Sequence, residues 1–364
     1  MKILYSIQGT GNGHISRARD IIPILQKKAD LDILISGTEA EVNIPFPVKY
    51  VYKGLSFVFG KKGGIDLLAT YKKGNLKRLL NEVKSLPVQE YDLIINDFEP
   101  VSAWAAKLKN IPCIGLSHQA AVISKGSPRP KKKDLIGKAV LQNYAPVSWQ
   151  FGFHFESYDK GIYTPVIREQ VRYSKPQDKG YYTVYLPAYD DKHVIRVLSQ
   201  LKNKEVEWHI FSKHTKESFI ENNFHVFPIS NSLFVESLIN CRGIVCGAGF
   251  ETPAEAMFLR KKLLVIPMKG QYEQQCNAAA LKTMGIAVIK SLKEKHLEKL
   301  NNWMESFSVV SVNYPDITET IIDDILLNYK VYTSKRKVQF PESPLSGSKF
   351  RSLNLKKILN QIQG

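Results

Sequence analysis

The 364-residue sequence contains no run of about 18 apolar residues, the minimum for a helix that spans a bilayer. Its opening stretch, MKILYSIQG, is too short and too soon broken by glycine for a signal peptide, and reads as a first strand. Cysteine is scarce: Cys113, Cys241, Cys246 and Cys276 are scattered without metal-binding spacing. Three of them sit in apolar or helical contexts, which suits buried thiols in a reducing compartment. A cytoplasmic protein is the expectation. Acidic residues are in deficit, 34 Asp+Glu against 51 Lys+Arg, leaving a formal charge of +17. Such a field favours anionic partners: phosphorylated substrates, anionic lipid head groups or nucleic acid. Helix-turn-helix, RNA-binding and zinc signatures are all missing, so nucleic acid is the least supported of the three. A basic protein with no polyanion partner stays open.

What is present is an alternation of short apolar runs and amphipathic stretches. Lys2 to Ile7 reads as a strand, followed by Gln8-Gly9-Thr10-Gly11-Asn12-Gly13-His14 and a helix over Ser16 to Lys28. The glycine spacing is G-x-G-x-G, not the dinucleotide G-x-G-x-x-G. The second strand, Leu31 to Ile35, ends in Ser36-Gly37, without the acid that would hold an NAD ribose. Both points exclude NAD. Gly11, Asn12, Gly13 and His14 fall at the carboxyl edge of a parallel sheet, where α/β proteins bind ligands; a helix-capping or packed histidine is the competing reading. A helix is expected over Leu67 to Leu86, after the basic loop Lys61-Lys62-Gly63-Gly64.

Tyr91 to Asn96 is a buried strand, so Asp97 stands at the same edge as His14, with Glu99 as its rival. Ile111 to Leu116 ends likewise in Ser117-His118-Gln119, and His118 and Gln119 either meet a substrate there or serve the loop. The segment SKGSPRPKKK, Ser124 to Lys133, is a basic loop suited to phosphates or lipid heads, or simply a solvated one. The polar linker Arg172 to Gly180 marks a boundary. A second alternation follows, with strands expected at Tyr182–Leu186, Val206–Phe211, His225–Phe227, Gly243–Cys246, Leu263–Ile266 and Ala287–Ile289. Two tandem parallel α/β sheets are the predicted architecture.

The densest chemistry lies in CGAGFETPAEAMFLRKKLLVIPMKGQYEQQCN, Cys246 to Asn277. A strand ends at Cys246, and Gly247-Ala248-Gly249 makes a tight turn. Thr252 is expected to cap a helix, with Pro253 at its first and Glu255 at its third position. Strand, glycine turn and helix N-terminus together form an anion site, because free N–H groups and the positive dipole end face the ligand. Glu255, one turn in, can accept bonds from two ribose hydroxyls, and Gln274 and Gln275 offer amides to a polyhydroxylated group. Ordinary turn glycines and a capping acid would read equally well from spacing alone.

This stretch resembles the donor-sugar motif of GT-B glycosyltransferases, nearest to the peptidoglycan N-acetylglucosaminyltransferases and the wider UDP-glycosyltransferase group. Gly249, Thr252, Glu255, Pro267, Gln274, Gln275 and Asn277 fall in step with that motif without gaps. The plant-type His-Cys-Gly-Trp signature is replaced by Val245-Cys246-Gly247-Ala248, which speaks against a plant-type assignment. The resemblance implies the GT-B fold, two Rossmann-like parallel-sheet domains with an intervening cleft. It implies an acceptor-binding domain over 1–172, a nucleotide-sugar domain over 173–329 and a basic tail over 330–364. It further implies an inverting transfer from a UDP-type donor to a hydroxyl acceptor, a lipid-linked or cell-envelope glycan among the candidates. In such enzymes the glycine turn meets the diphosphate, Glu255 grips the ribose, the Gln pair reads the sugar, and the loop holding Ile229 carries the base. His14 would be the general base and Asp97 its partner. No metal or other cofactor is expected, as no DxD-like pair stands at the donor site and helix dipole and N–H groups can hold the leaving diphosphate. A nucleotide-sugar epimerase of the same fold is the alternative, although the extra acids such an enzyme needs are not found.

The tail from Lys330 to Gly364 has eight Lys/Arg and one acid, and Phe350, Leu353, Leu355, Ile358, Leu359 and Ile362 fall mostly on one helical face. Such a helix either lies on an anionic membrane, making the protein peripheral on the inner face of the plasma membrane, or packs on its own first domain.

Overall fold

The computed structural model describes residues 1–37, 44–55 and 76–335. The basic loop Lys61–Gly64, the first part of the helix expected over Leu67 to Leu86, and the amphipathic tail helix lie outside the described residues. Apolar runs buried on both faces form the strands: all five residues of Leu93–Asp97 and of Lys262–Ile266 are buried, the mark of a sheet covered by helices on both sides. The first sheet contains β1 (Lys2–Gln8), β2 (Asp30–Ser36), β3 (Tyr50–Tyr52), β4 (Leu93–Asp97), β5 (Cys113–Ser117), β6 (Trp149–Phe153) and β7 (Ile162–Tyr163). Its order is β3-β2-β1-β4-β5-β6-β7, parallel throughout. The second contains β8 (Tyr182–Tyr185), β9 (Trp208–Ser212), β10 (Phe219–Glu221), β11 (Phe224–Pro228), β12 (Gly243–Gly247), β13 (Lys262–Ile266) and β14 (Ala287–Val288). Its order is β10-β11-β9-β8-β12-β13-β14, and only β10 runs antiparallel. Of the β10–β11 hairpin, β11 is the strand expected at His225–Phe227, whereas β10 escapes the sequence reading because Phe219–Glu221 is three residues long and exposed throughout.

Helices α1 (Asn12–Lys28), α2 (Leu76–Ser85), α3 (Pro100–Lys109), α4 (His118–Ile123), α5 (Leu135–Asn143) and α6 (Glu169–Arg172) accompany the first sheet. Helices α7 (Asp191–Leu198), α8 (Asn231–Asn240), α9 (Glu251–Phe258), α10 (Tyr272–Thr283) and α11 (Leu297–Glu305) accompany the second. The last, α12 (Thr318–Lys335), returns to the first sheet. There Lys28 of α1 pairs with Glu319 and Asp323, and the Tyr329 hydroxyl donates to the Asp92 carbonyl.

Each parallel sheet reverses its strand order once, and a ligand crevice opens at the carboxyl ends beside such a reversal. In the first sheet the reversal separates β1 from β4, so the turns after them carry His14 and Asp97. In the second it separates β8 from β12, so the Gly247–Gly249 turn stands beside Leu186–Tyr189. The two carboxyl edges face each other. Phe250 crosses the gap, its ring stacked 4.0 Å from that of His118 and tilted against that of Phe155 at 5.2 Å.

Candidate active site

Between the two edges lies a cleft of about 550 Å³. Helix α1 begins earlier than the sequence suggests, at Asn12, so His14 sits in its first turn rather than in the loop. His14 Nδ1 lies 2.8 Å from Asp97 Oδ1. Arg17, one helical turn further on the same face, donates to both Asp97 oxygens at 2.7 Å and also to Glu251. Its side chain is 1% exposed, so the guanidinium is committed to these carboxylates. Gly13 lies against Glu251, and a Cβ there would have to displace the Glu251 carboxylate. The N-termini of α1 and α9 thus meet across the cleft.

With Nδ1 turned to Asp97, His14 presents Nε2 to the cleft, where the Gln119 amide nitrogen lies 3.4 Å away. Gln119 also donates to Glu273 at 3.0 Å. Burial alone would lower the His14 pKa; Asp97, by charge and by hydrogen bond, more than offsets it, and the net shift is upward. Burial likewise pushes the Asp97 carboxyl up, but Arg17 and His14 outweigh it and hold Asp97 below the ordinary carboxylate range. The site is a histidine whose inner nitrogen faces a carboxylate held toward its ionised form.

On the opposite wall, Gly247, Gly249 and Thr252 line the cleft, with Ile229 from the turn after β11. Thr252 does not cap α9: the helix starts at Glu251 behind Phe250, with no side-chain cap, and Thr252 is its second residue. The first turn is anchored instead by Glu251 through Arg17. Pro253 is accordingly the third helical residue.

Glu255 differs from expectation. It is 2% exposed and does not line the cleft, because Arg168 donates to both of its oxygens. Arg168 also donates to Asn231 at 2.8 Å and itself faces the cleft. Here the carboxylate orients a cleft-lining arginine. Gln274 lines the cleft, its side-chain oxygen accepting from Met268 N–H at 2.9 Å. Gln275 does not line the cleft, whereas Tyr272 and Glu273 do.

Gly11, Asn12, Gly13 and Gln119 line the cleft, whereas His118 does not. His118 is buried, Nδ1 2.8 Å from the Phe153 carbonyl and Nε2 2.7 Å from Asn277 Oδ1. The Asn277 amide in turn donates to Ala248 O at 3.1 Å, so His118 braces the glycine turn. Glu99 is also structural: it caps α3 through Val101 and Ser102 N–H and accepts from Ser36. The four cysteines are buried and free.

Sequence reading missed Arg17, Arg168, Glu251 and the wall formed by Ile136, Val140 and Leu141 of α5. Arg17 carried a signal, three residues after His14 on one helix. Arg168 carried none, since its partner lies 87 residues away.

The family model for glycosyl transferase family 1 matches residues 1–307. No curated protein is significantly similar to the chain in sequence. Among solved structures, Arabidopsis thaliana UGT89C1 complexed with UDP is 12% identical, with 99% of each chain covered and a TM-score of 0.55. Acinetobacter baumannii MurG is 15% identical, covering 90% of this chain and 99% of its own, with a TM-score of 0.52. Phytolacca americana UGT2 complexed with UDP-2fluoro-glucose and pterostilbene is 11% identical over 90% of this chain and 99% of its own, at 0.52. At such identities the likeness is one of fold.

Proposed function

Because the chain belongs to glycosyl transferase family 1 and is a GT-B glycosyltransferase, we propose that it moves a hexosyl group, with inversion, from a UDP-sugar to a hydroxyl acceptor. The observation that carries this reading is the His14–Asp97 pair, which shares a cleft with the glycine turn at the N-terminus of α9. Neutral His14 takes the acceptor's proton at Nε2 while the acceptor oxygen attacks the anomeric carbon. The bond from that carbon to the diphosphate oxygen breaks on the opposite face, so configuration inverts and the nucleoside diphosphate leaves. Asp97 stabilises the imidazolium that forms, and Arg17 keeps Asp97 ionised and oriented. The departing charge meets the N–H groups opening α9 and the Arg168 guanidinium, and no metal is called for.

UDP is favoured by two structures of the same fold, A. thaliana UGT89C1 with UDP and P. americana UGT2 with UDP-2fluoro-glucose. The acceptor side is supported by the apolar wall of α5 beside a basic loop, which suits an acceptor with an apolar portion and a negative charge, as in a lipid-linked glycan. The test is a thermal-shift series with UDP-, GDP- and dTDP-sugars. A donor at about 100 times its dissociation constant stabilises by roughly 2.7 kcal/mol. UDP-sugars should shift the midpoint and the others less; a flat response to all three overturns the donor assignment.

A further inference from the structure

At the end of the second sheet away from the cleft, three metal-ligating side chains converge. Strands β9 and β11 are parallel neighbours, and their register pairs His209 with His225. Paired residues project to one face of a sheet; the two rings lie 5.4 Å apart and 26° from parallel. Glu207, two residues before His209, shares that face. Its Oε1 lies 2.7 Å from His209 Nε2 and 3.6 Å from His225 Nε2. The ligand atoms of all three are within 4.8 Å of one another.

His209 is held from behind. Its ring stacks on Tyr181 at 3.8 Å, and its Nδ1 lies 3.3 Å from the Ser237 hydroxyl, which is itself 2.8 Å from that of Thr183. A partner on one ring nitrogen that turns the other outward is the usual support of a metal-binding histidine. The three side chains are half-buried, which leaves a solvent side for water ligands.

We propose that Glu207, His209 and His225 bind a divalent transition ion of the zinc class. Two imidazoles and one carboxylate suit zinc, nickel or copper, whereas magnesium and calcium prefer oxygen. Around zinc, bonds of about 2.0–2.2 Å bring tetrahedral ligand atoms to about 3.3 Å apart. Glu207 Oε1 and His225 Nε2, 3.6 Å apart, are close to that spacing, and the hydrogen-bonded Glu207–His209 contact at 2.7 Å opens by about 0.6 Å when an ion takes the place of the shared proton. The ion ties β9 to β11, the strand that runs into Ile229, Ser230 and Asn231 at the cleft. Its role is to brace that turn, apart from the chemistry.

The experiment is calorimetric titration of untagged, chelator-stripped full-length protein with zinc chloride, alongside thermal unfolding with and without zinc. Wild type and His14→Ala should each bind one equivalent and unfold at a higher temperature with zinc. His225→Ala and Glu207→Gln, both at solvent-facing positions, should weaken binding by at least about 100-fold, the upper end for loss of an outer-shell partner. Circular dichroism matching wild type separates loss of the site from loss of the fold. The proposal is overturned if wild type shows no saturable heat at millimolar zinc, if His225→Ala binds as wild type does, or if His14→Ala loses the ion instead.

Discussion

His14 owes its chemistry to what surrounds one ring. Asp97 raises its basicity and fixes the nitrogen that faces the cleft, while Arg17 fixes Asp97. His14→Ala should leave donor binding intact, since the proposed donor wall belongs to the other sheet, and lower turnover by about 10²–10⁴, the usual contribution of a positioned base. The measurement is single-turnover sugar transfer, or donor hydrolysis, with donor saturating. Transfer at the wild-type rate would remove His14 from the reaction. The pH profile follows from the sign of the shift. As the proposed base, His14 works in its neutral form, so activity should rise as pH climbs through its pKa, which is displaced upward from 6.5. Asp97→Asn should lower turnover and move the acid limb to lower pH, because the charge that holds the proton on His14 is gone. An unmoved limb would show that another group sets it.

Helix α9 is where the two halves of the molecule are joined by charge. Glu251 and Glu255 stand one turn apart, and each takes an arginine from the first half of the chain, Arg17 and Arg168. Removing one partner of a buried pair leaves the other charge uncompensated, which costs about 3–5 kcal/mol. Glu255→Ala should therefore lower stability by about that amount in urea unfolding. It should also weaken UDP binding by roughly 1.5–3 kcal/mol in calorimetry, as Arg168 loses its charge-assisted orientation. Unchanged stability with weakened UDP binding would instead return Glu255 to direct contact with the ribose.

Across the whole molecule the excess of positive charge has a specific neighbour. Lys131, Lys132 and Lys133 precede Leu135 and Ile136, which are 66% and 45% exposed, and Ile136 is part of the cleft wall. No helix among the described residues is long and apolar enough to cross a membrane. A basic run with exposed apolar side chains beside the cleft suits reversible contact with an anionic surface. Co-sedimentation should show binding to anionic vesicles at low salt, loss at high salt as screening sets in, and little binding to neutral vesicles. Equal partition onto both, or none, would detach the charge from lipid.

Periodicity and turn chemistry in the sequence were enough for the two sheets, because strands buried on both faces are written as unbroken apolar runs. They also placed His14 and Asp97 at one edge, since residues that end parallel strands share an edge wherever those strands lie in order. The motif from Gly247 to Asn277 was legible because its parts are local. Position alone left Glu99 as a rival to Asp97, and only the resemblance chose between them; the structure adds the reason, Glu99 being taken up by Ser36 and the first turn of α3. Arg168 on Glu255, Arg17 on Glu251 and His118 behind the glycine turn were not legible. Each joins residues many positions apart, brought together only when the two carboxyl edges close on one another, and no short-range pattern encodes which buried carboxylate a distant arginine will find.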